Sequence, residues 1–171
     1  DNKLIATTTL NNNKVDEVIA EFENIYEKYI IRDITVDVNI NNAVNNTGKY
    51  NLGPENFEFI LIDQNTGETK TVVTDLNGNA KIPLKFTESD IGKTYKYKLS
   101  MIEGNIPGVT YSTETYDIEI SISLNDNHEL VATIMVNGQV LDEILTKFLS
   151  VYYVAPETPG SINEGGELGY S

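Results

Sequence analysis

Apolar and polar residues alternate through most of the chain, the pattern of strands that bury one face. The clearest rows of alternating apolar residues are Ile34 to Ile40, Phe57 to Leu61, Tyr95 to Met101 and Tyr116 to Ile122. The rows are short, and turn residues separate them at intervals of roughly ten residues. We therefore predict an all-β fold, an Ig-like antiparallel β-sandwich.

Two turn signals predict hairpins within this sandwich. Asn137-Gly138 follows a row of apolar residues that ends at Val136, and an Asn-Gly pair is a strong hairpin signal. The segment 75–78, Asp-Leu-Asn-Gly, predicts a second hairpin, which joins the strand at 72–74 to the strand at 82–86. Pro83 has no N–H to donate, so that second strand is expected at a sheet edge or at a bulge.

Two segments carry apolar residues at helical spacing instead. These segments are 15–26 and 141–152, which both place apolar side chains three or four residues apart. The latter also overlaps a stretch rich in β-branched and aromatic residues at 147–154. We predict a short helical turn in the first half of each segment, before a closing strand in the second half.

The same two segments belong to a longer internal repeat. Residues 3–26 align without a gap with residues 129–152, at a constant offset of 126. This alignment indicates a tandem array, in which 1–28 is the closing hairpin of a preceding homologous repeat and 30–154 is a complete domain. The alternative is a chance similarity between two hairpins. The segment 155–171 combines Pro, Gly and Glu without a basic residue, which is typical of an acidic linker.

Composition excludes several classes of function. The 171 residues include 12 Lys plus Arg and 26 Asp plus Glu, a net charge of −14, which argues against binding to nucleic acid or to an anionic membrane. No apolar stretch is long enough to insert into a bilayer. The absence of Cys excludes disulfides and thiol catalysis, and a lone histidine, His128, excludes a multi-His metal centre. We expect no cofactor, no metal site and no enzymatic activity.

Residues 34–154 resemble the pilin isopeptide-linkage domains of Gram-positive surface proteins. The resemblance rests on the order of several short motifs: GPENFEF at 53–59, YKYKL at 95–99 leading to Glu103, GVTY at 108–111, and a closing Phe-x-Asn-x-Tyr strand. It implies an Ig-like sandwich, often repeated in tandem. It also implies an extracellular location on a bacterial surface, in a parent protein anchored to the cell wall.

In that family, a lysine near the start of the domain condenses with an asparagine of the closing strand, assisted by a buried glutamate. The resemblance assigns the assisting role to Glu103, in phase with the apolar row that ends at Met101, where it is expected to be vestigial. Asn24 matches the acceptor of the preceding repeat, whose lysine is not in this chain. Ser150, which cannot react, replaces the acceptor in the second copy, and the strand from Ile34 to Ile40 has no lysine. We predict that 30–154 has no internal isopeptide bond.

These features together predict a structural stalk or backbone module of a cell-surface or pilus-like adhesin. The expected partners are neighbouring repeats, and a second copy of the chain that binds through the apolar face of the 1–28 hairpin. The alternative is an adhesive module that recognises a host protein or glycan through Tyr-rich loops such as 106–111.

Overall fold

The computed structural model of the chain describes residues 2–10, 13–22, 26–43 and 50–155. Apart from one short 3₁₀ helix, Glu88–Asp90, its regular elements are strands. The strands are β1 (Asn2–Leu10), β2 (Asn13–Phe22), β3 (Tyr29–Asn41), β4 (Glu58–Asp63), β5 (Thr69–Val73), β6 (Asn79–Thr87), β7 (Thr94–Met101), β8 (Val109–Thr110), β9 (Thr115–Leu124), β10 (Leu130–Val136), β11 (Gln139–Leu141) and β12 (Ile144–Tyr152).

The strands form three sheets, which confirms the predicted all-β sandwich. β1 and β2 pair in a two-stranded sheet. The other two sheets have the strand orders β11-β10-β9-β7-β4-β5 and β6-β3-β12-β8. These two sheets enclose one apolar core, to which both contribute inward-facing residues, among them Val36, Phe59, Leu99, Ile120 and Phe148. Burial at every second position of β3, β7 and β9 explains the sequence pattern of these strands.

One pairing departs from an antiparallel arrangement. β12, the last strand, lies parallel to β3, in a register that runs from Ile144 opposite Ile34 to Val151 opposite Asn41. The other strand pairs within the described residues are antiparallel. The first and last strands of the sandwich are therefore direct neighbours.

The chain reaches this position by changing sheets after β11. The hairpin predicted at Asn137-Gly138 is confirmed, and it joins β10 to β11. The short helical turn predicted before the closing strand is wrong, because β11, a two-residue bend and β12 occupy that segment. Its apolar spacing looks helical because Leu145 and Leu149, which face outward and are about half exposed, are apolar as well. The corresponding segment of the first copy is also a strand, β2.

The segment 75–78 also connects the two sheets and does not form the predicted hairpin. β5 pairs with β4, whereas β6 pairs with β3. Gly78 makes the crossing possible: its φ is +81°, and a Cβ there would lie 2.5 Å from the carbonyl oxygen of Val38. β6 is an edge strand, as Pro83 predicts.

Candidate functional site between the first and last strands

Ser150 occupies a buried position between the two sheets. It lies on β12, is 1% exposed and stands directly opposite Ile40 of β3. Its Oγ accepts a hydrogen bond from the backbone N–H of Ser112 (3.1 Å) and donates one to Sδ of Met101 (3.4 Å). The hydroxyl is therefore satisfied within the core by two partners.

The side chain beside Ser150 is that of Met101, and not that of Glu103. Met101 ends β7 and is 8% exposed, whereas Glu103 is exposed to solvent. The prediction that Glu103 points inward is wrong, because the strand ends at Met101 and the alternation of faces does not extend two residues further. The sequence pattern already places the Met101 side chain on the buried face, since Met101 belongs to the same row as Tyr97 and Leu99.

On the opposite strand, the inward-facing residues are also apolar. Val38 is 1% exposed, and Ile40 packs against the core. The position where β3, β7 and β12 meet is thus built from Ile40, Met101 and Ser150. These three side chains offer no amine, no carboxyl group and no amide. Asn24 lies outside the described residues.

Tyr116 holds β12 from the side opposite β3. Its hydroxyl donates to the carbonyl oxygen of Lys147 (2.8 Å) and accepts from the N–H of the same residue (3.1 Å). Its ring meets that of Phe148 edge to face, with centroids 5.2 Å apart, and Phe148 packs at 4.6 Å on Phe59 of the other sheet. The closing strand is consequently held on both edges and on its inner face.

The sequence pattern of the FctA family, a Spy0128-like isopeptide containing domain, matches residues 40–152. The chain belongs to this family. The matched segment begins at Ile40 and ends at Tyr152, so it includes the whole position formed by Ile40, Met101 and Ser150.

The solved structures similar to this FctA-family chain include the major pilin from Streptococcus pyogenes. That structure is 17% identical over 71% of this chain and 50% of the pilin chain, with a TM-score of 0.43. A single-substitution mutant of the same pilin is 18% identical over the same shares of the two chains, with a TM-score of 0.39. The FctA chain therefore spans about half the length of these structures. A search of curated proteins found no match.

The candidate metal sites of this FctA chain are explained by ordinary structural features such as turns. In the described ranges, no group of three His, Cys, Asp or Glu residues is placed to hold a metal ion. Asp75 uses Oδ1 to accept hydrogen bonds from the N–H groups of Asn77 and Asn79, both at 2.9 Å, which closes a turn.

No helix in the described part of the chain has the length and apolar character to cross a membrane.

Two tyrosines in the same row as Met101 have altered acidity. Burial, assisted by a hydrogen bond from its hydroxyl to Asp90, raises the pKa of Tyr95 to about 12. Burial, with a smaller contribution from the charge of Asp63, raises the pKa of Tyr97 to about 12. In both cases the folded domain favours the neutral phenol over the phenolate.

These two tyrosines predict a loss of stability at alkaline pH. Each has a pKa near 10 when unfolded and about 12 when folded, so its contribution is complete below pH 10 and is lost as the pH rises toward 12. Within that window the free energy of unfolding should fall by up to about 1.4 kcal/mol per pH unit for each tyrosine. Denaturant titrations across the window measure this slope.

Matched variants distinguish the contribution of these two tyrosines from other effects of alkaline pH on stability. Tyr95→Phe combined with Tyr97→Phe should flatten the slope, although it lowers stability at neutral pH. Leu149→Ala, at a half-exposed position and without an ionisable group, is the control and should leave the slope unchanged. An unchanged slope in the double variant would refute the assignment.

Proposed function

We propose that this chain is a structural stalk module of a cell-surface or pilus-like protein, and that its sandwich domain has no internal isopeptide bond. Membership of the FctA family and the similarity to a streptococcal major pilin support the surface role. In this proposal the parent protein is anchored to a bacterial cell wall. The neighbouring repeats are its principal partners, and the module itself is not an enzyme.

The side chains at the buried position between β3 and β12 support the proposed absence of an internal isopeptide bond. An amide crosslink requires a neutral amine to attack an amide carbon, and a carboxyl group nearby to move the protons. The residues at this buried position are Ile40, Met101 and Ser150, and none of them supplies one of these three groups. Glu103 is exposed to solvent, outside this buried position, so its role is at most vestigial.

The hairpin registers support the proposed tandem organisation. In the β1–β2 hairpin, Leu10 is opposite Asn13; at an offset of 126, Val136 is opposite Gln139 in the β10–β11 hairpin. The next two pairs of each hairpin correspond in the same way. The two copies therefore share a strand register as well as a sequence, as expected if 1–28 is the closing hairpin of a preceding repeat. The segment 155–171 is the proposed linker.

Beyond this common part, the two copies follow different paths. The segment after β11 leaves its hairpin for β3, whereas β2 continues to pair with β1 as far as Phe22. β3 already has β12 and β6 on its two sides, so it has no free edge for β2. We propose that β2, which leads to the acceptor Asn24, belongs beside a first strand of another domain. A second copy of this chain is one candidate for that strand.

Intact mass spectrometry tests the missing crosslink. We expect the denatured chain to have the mass of its sequence, 19.0 kDa, because no amide can form between β3 and β12. After digestion at Lys and Arg, the peptides that contain Ile40 and Ser150 should be recovered separately. A mass lower by one ammonia, together with a joined peptide from these two strands, would refute the proposal.

The alternative proposal, an adhesive binding module, receives less support from the loop at 106–111, in which Tyr111 is the one tyrosine. The Tyr111 hydroxyl accepts a hydrogen bond from the N–H of Ile106 (3.1 Å), and its ring packs on Phe57 with centroids 5.7 Å apart. The ring thus stabilises its own loop, which leaves less of it for a partner. Binding of the isolated chain on a glycan or host-matrix array would favour this alternative.

A further inference from the structure

The parallel pairing of β3 and β12 fixes where the chain enters and leaves the sandwich. Because both strands run in the same direction, the start of β3 at Tyr29 and the end of β12 at Tyr152 lie at opposite ends of the pair. Tension applied to these two points pulls the neighbouring strands past each other along their axes. The load then falls on their common ladder of hydrogen bonds.

This ladder is continuous and is reinforced by side chains. Eight residues of each strand are paired without a register shift, from Ile34 to Asn41 and from Ile144 to Val151. The Thr35 hydroxyl donates to the carbonyl oxygen of Ile144 (3.1 Å). The Thr146 hydroxyl, which is 1% exposed, donates in return to the carbonyl oxygen of Thr35 (2.8 Å). Two additional hydrogen bonds thus connect the strands at one end of the ladder.

We propose that β3 and β12 form a non-covalent shear clamp, which carries tension along the chain where this domain has no covalent link between the two strands. The inference rests on the proposed stalk function, since only a stalk transmits such a load. Sliding requires the bonds of the ladder to break together, whereas pulling both strands from the same end breaks them one after another. Breaking the bonds together has a higher barrier, and therefore a lower rate, than breaking them in turn. Because the unfolding rate governs forced unfolding, the shear direction should require a higher force.

The entry to the clamp is short and is tied to the domain. β2 ends at Phe22 and β3 begins at Tyr29, so the six residues 23–28 separate the two strands. The Lys28 ammonium donates a hydrogen bond to the carbonyl oxygen of His128 (3.1 Å). A connection of this length adds little slack, because six residues extend to at most about 20 Å.

The direction of pulling tests the clamp. Because the chain has no Cys of its own, each handle attaches only at an introduced cysteine. Handles are attached to the full chain through K28C and A155C in the shear geometry, and through K28C and E143C in the peeling geometry. Glu143 is exposed and immediately precedes β12, so the second pair pulls both strands from the same end. The two geometries share one handle and load the same ladder.

We expect the shear geometry to require a several-fold higher unfolding force than the peeling geometry. Thr146→Val should lower the force in the shear geometry, whereas Leu145→Ala, an outward-facing change on the same strand, should not. Equal forces in the two geometries, or a Thr146→Val variant as resistant as the original, would overturn the clamp.

The same recordings separate the clamp from the proposed function. Without a crosslink, shear unfolding should release the whole segment between the handles, a gain in length on the order of 400 Å. An extension that stops well short of this value would show a covalent link between β3 and β12, which overturns both the clamp and the proposed absence of the bond. Equal forces with full extension would overturn the clamp alone.

Discussion

Ile40→Lys, Met101→Glu and Ser150→Asn, introduced together, are expected to join β3 to β12 by a covalent amide. The three positions already meet in the core: Ser150 is opposite Ile40, and its hydroxyl touches the sulfur of Met101. Burial lowers the pKa of an amine and raises that of a carboxyl group, so both introduced groups would be held in their neutral forms. Position 150 is paired with position 40 and touches position 101, which favours the reaction by proximity.

The expected reaction loses one molecule of ammonia. The introduced amine attacks the side-chain amide carbon at position 150, a carbon–nitrogen bond forms, and the amide nitrogen leaves as ammonia after the carboxyl group has transferred the proton. Intact mass spectrometry detects this loss, and digestion should then yield one peptide that contains both strands. An unchanged mass in a folded triple variant would contradict the assignment of the three positions.

The gain in stability should be large, because the crosslink would close a long loop. A link between positions 40 and 150 encloses about a hundred residues, for which loop-closure entropy predicts roughly 4–5 kcal/mol. Denaturant unfolding of the triple variant, compared with the original chain, measures this difference. The buried polar groups introduced before the reaction reduce the observed gain by their own desolvation.

The double variant Ile40→Lys with Ser150→Asn is the matched control. It retains Met101 and also Glu103, so it tests whether the reaction requires a glutamate at position 101 or can use Glu103. We expect no loss of ammonia, because Glu103 is exposed and does not reach the buried position. Formation of the bond in this variant would show that Glu103 assists, and would refute the role assigned to position 101.

Phe148→Ala is expected to lower the free energy of unfolding by about 3–5 kcal/mol. Phe148 is 1% exposed, and its ring contacts Phe59 of the other sheet and Tyr116 beside the closing strand. Truncation leaves a cavity at the point where β12 joins the two sheets, and removes two aromatic contacts. Urea titration followed by circular dichroism measures the change.

Leu149→Ala provides the control for the same strand. Leu149 is the next residue along β12, but it faces outward and is 53% exposed. Its truncation removes an apolar side chain of similar size and preserves the backbone, so the expected change is within about 1 kcal/mol. Similar losses in the two variants would mean that the inner face of β12 does not anchor the core as described.

Much of the fold follows from local patterns in the chain. The alternation from Ile34 to Ile40 and from Tyr95 to Met101 reports which face of a strand is buried, because side chains alternate in any strand regardless of its neighbours. Asn137-Gly138 predicts its turn because few other residue pairs adopt that backbone conformation. The difference between Asn24 and Ser150 at corresponding positions is also visible in the sequence once the two copies are aligned.

Local sequence patterns gave wrong predictions where the pairing or exposure of a strand depends on residues far away in the chain. The segment 75–78 is typical of a hairpin turn, yet the next strand pairs with β3, because a turn sequence specifies a reversal of the chain and not the sheet that follows it. The helical spacing of 141–152 arises from outward-facing Leu145 and Leu149, whose exposure depends on the tertiary position of β12.

The sequence by itself determined the class of the fold, the faces of the strands, the internal sequence similarity, the absence of a lysine from the first strand of the sandwich, and the serine at position 150 where the aligned copy has Asn24. Only the tertiary structure decided that β3 and β12 are parallel neighbours, that Ile40 is opposite Ser150, and that Met101 and not Glu103 completes the position. The physical reason is that the period of a strand is set by its own backbone, whereas its end point and its partner are set by packing between residues a hundred positions apart.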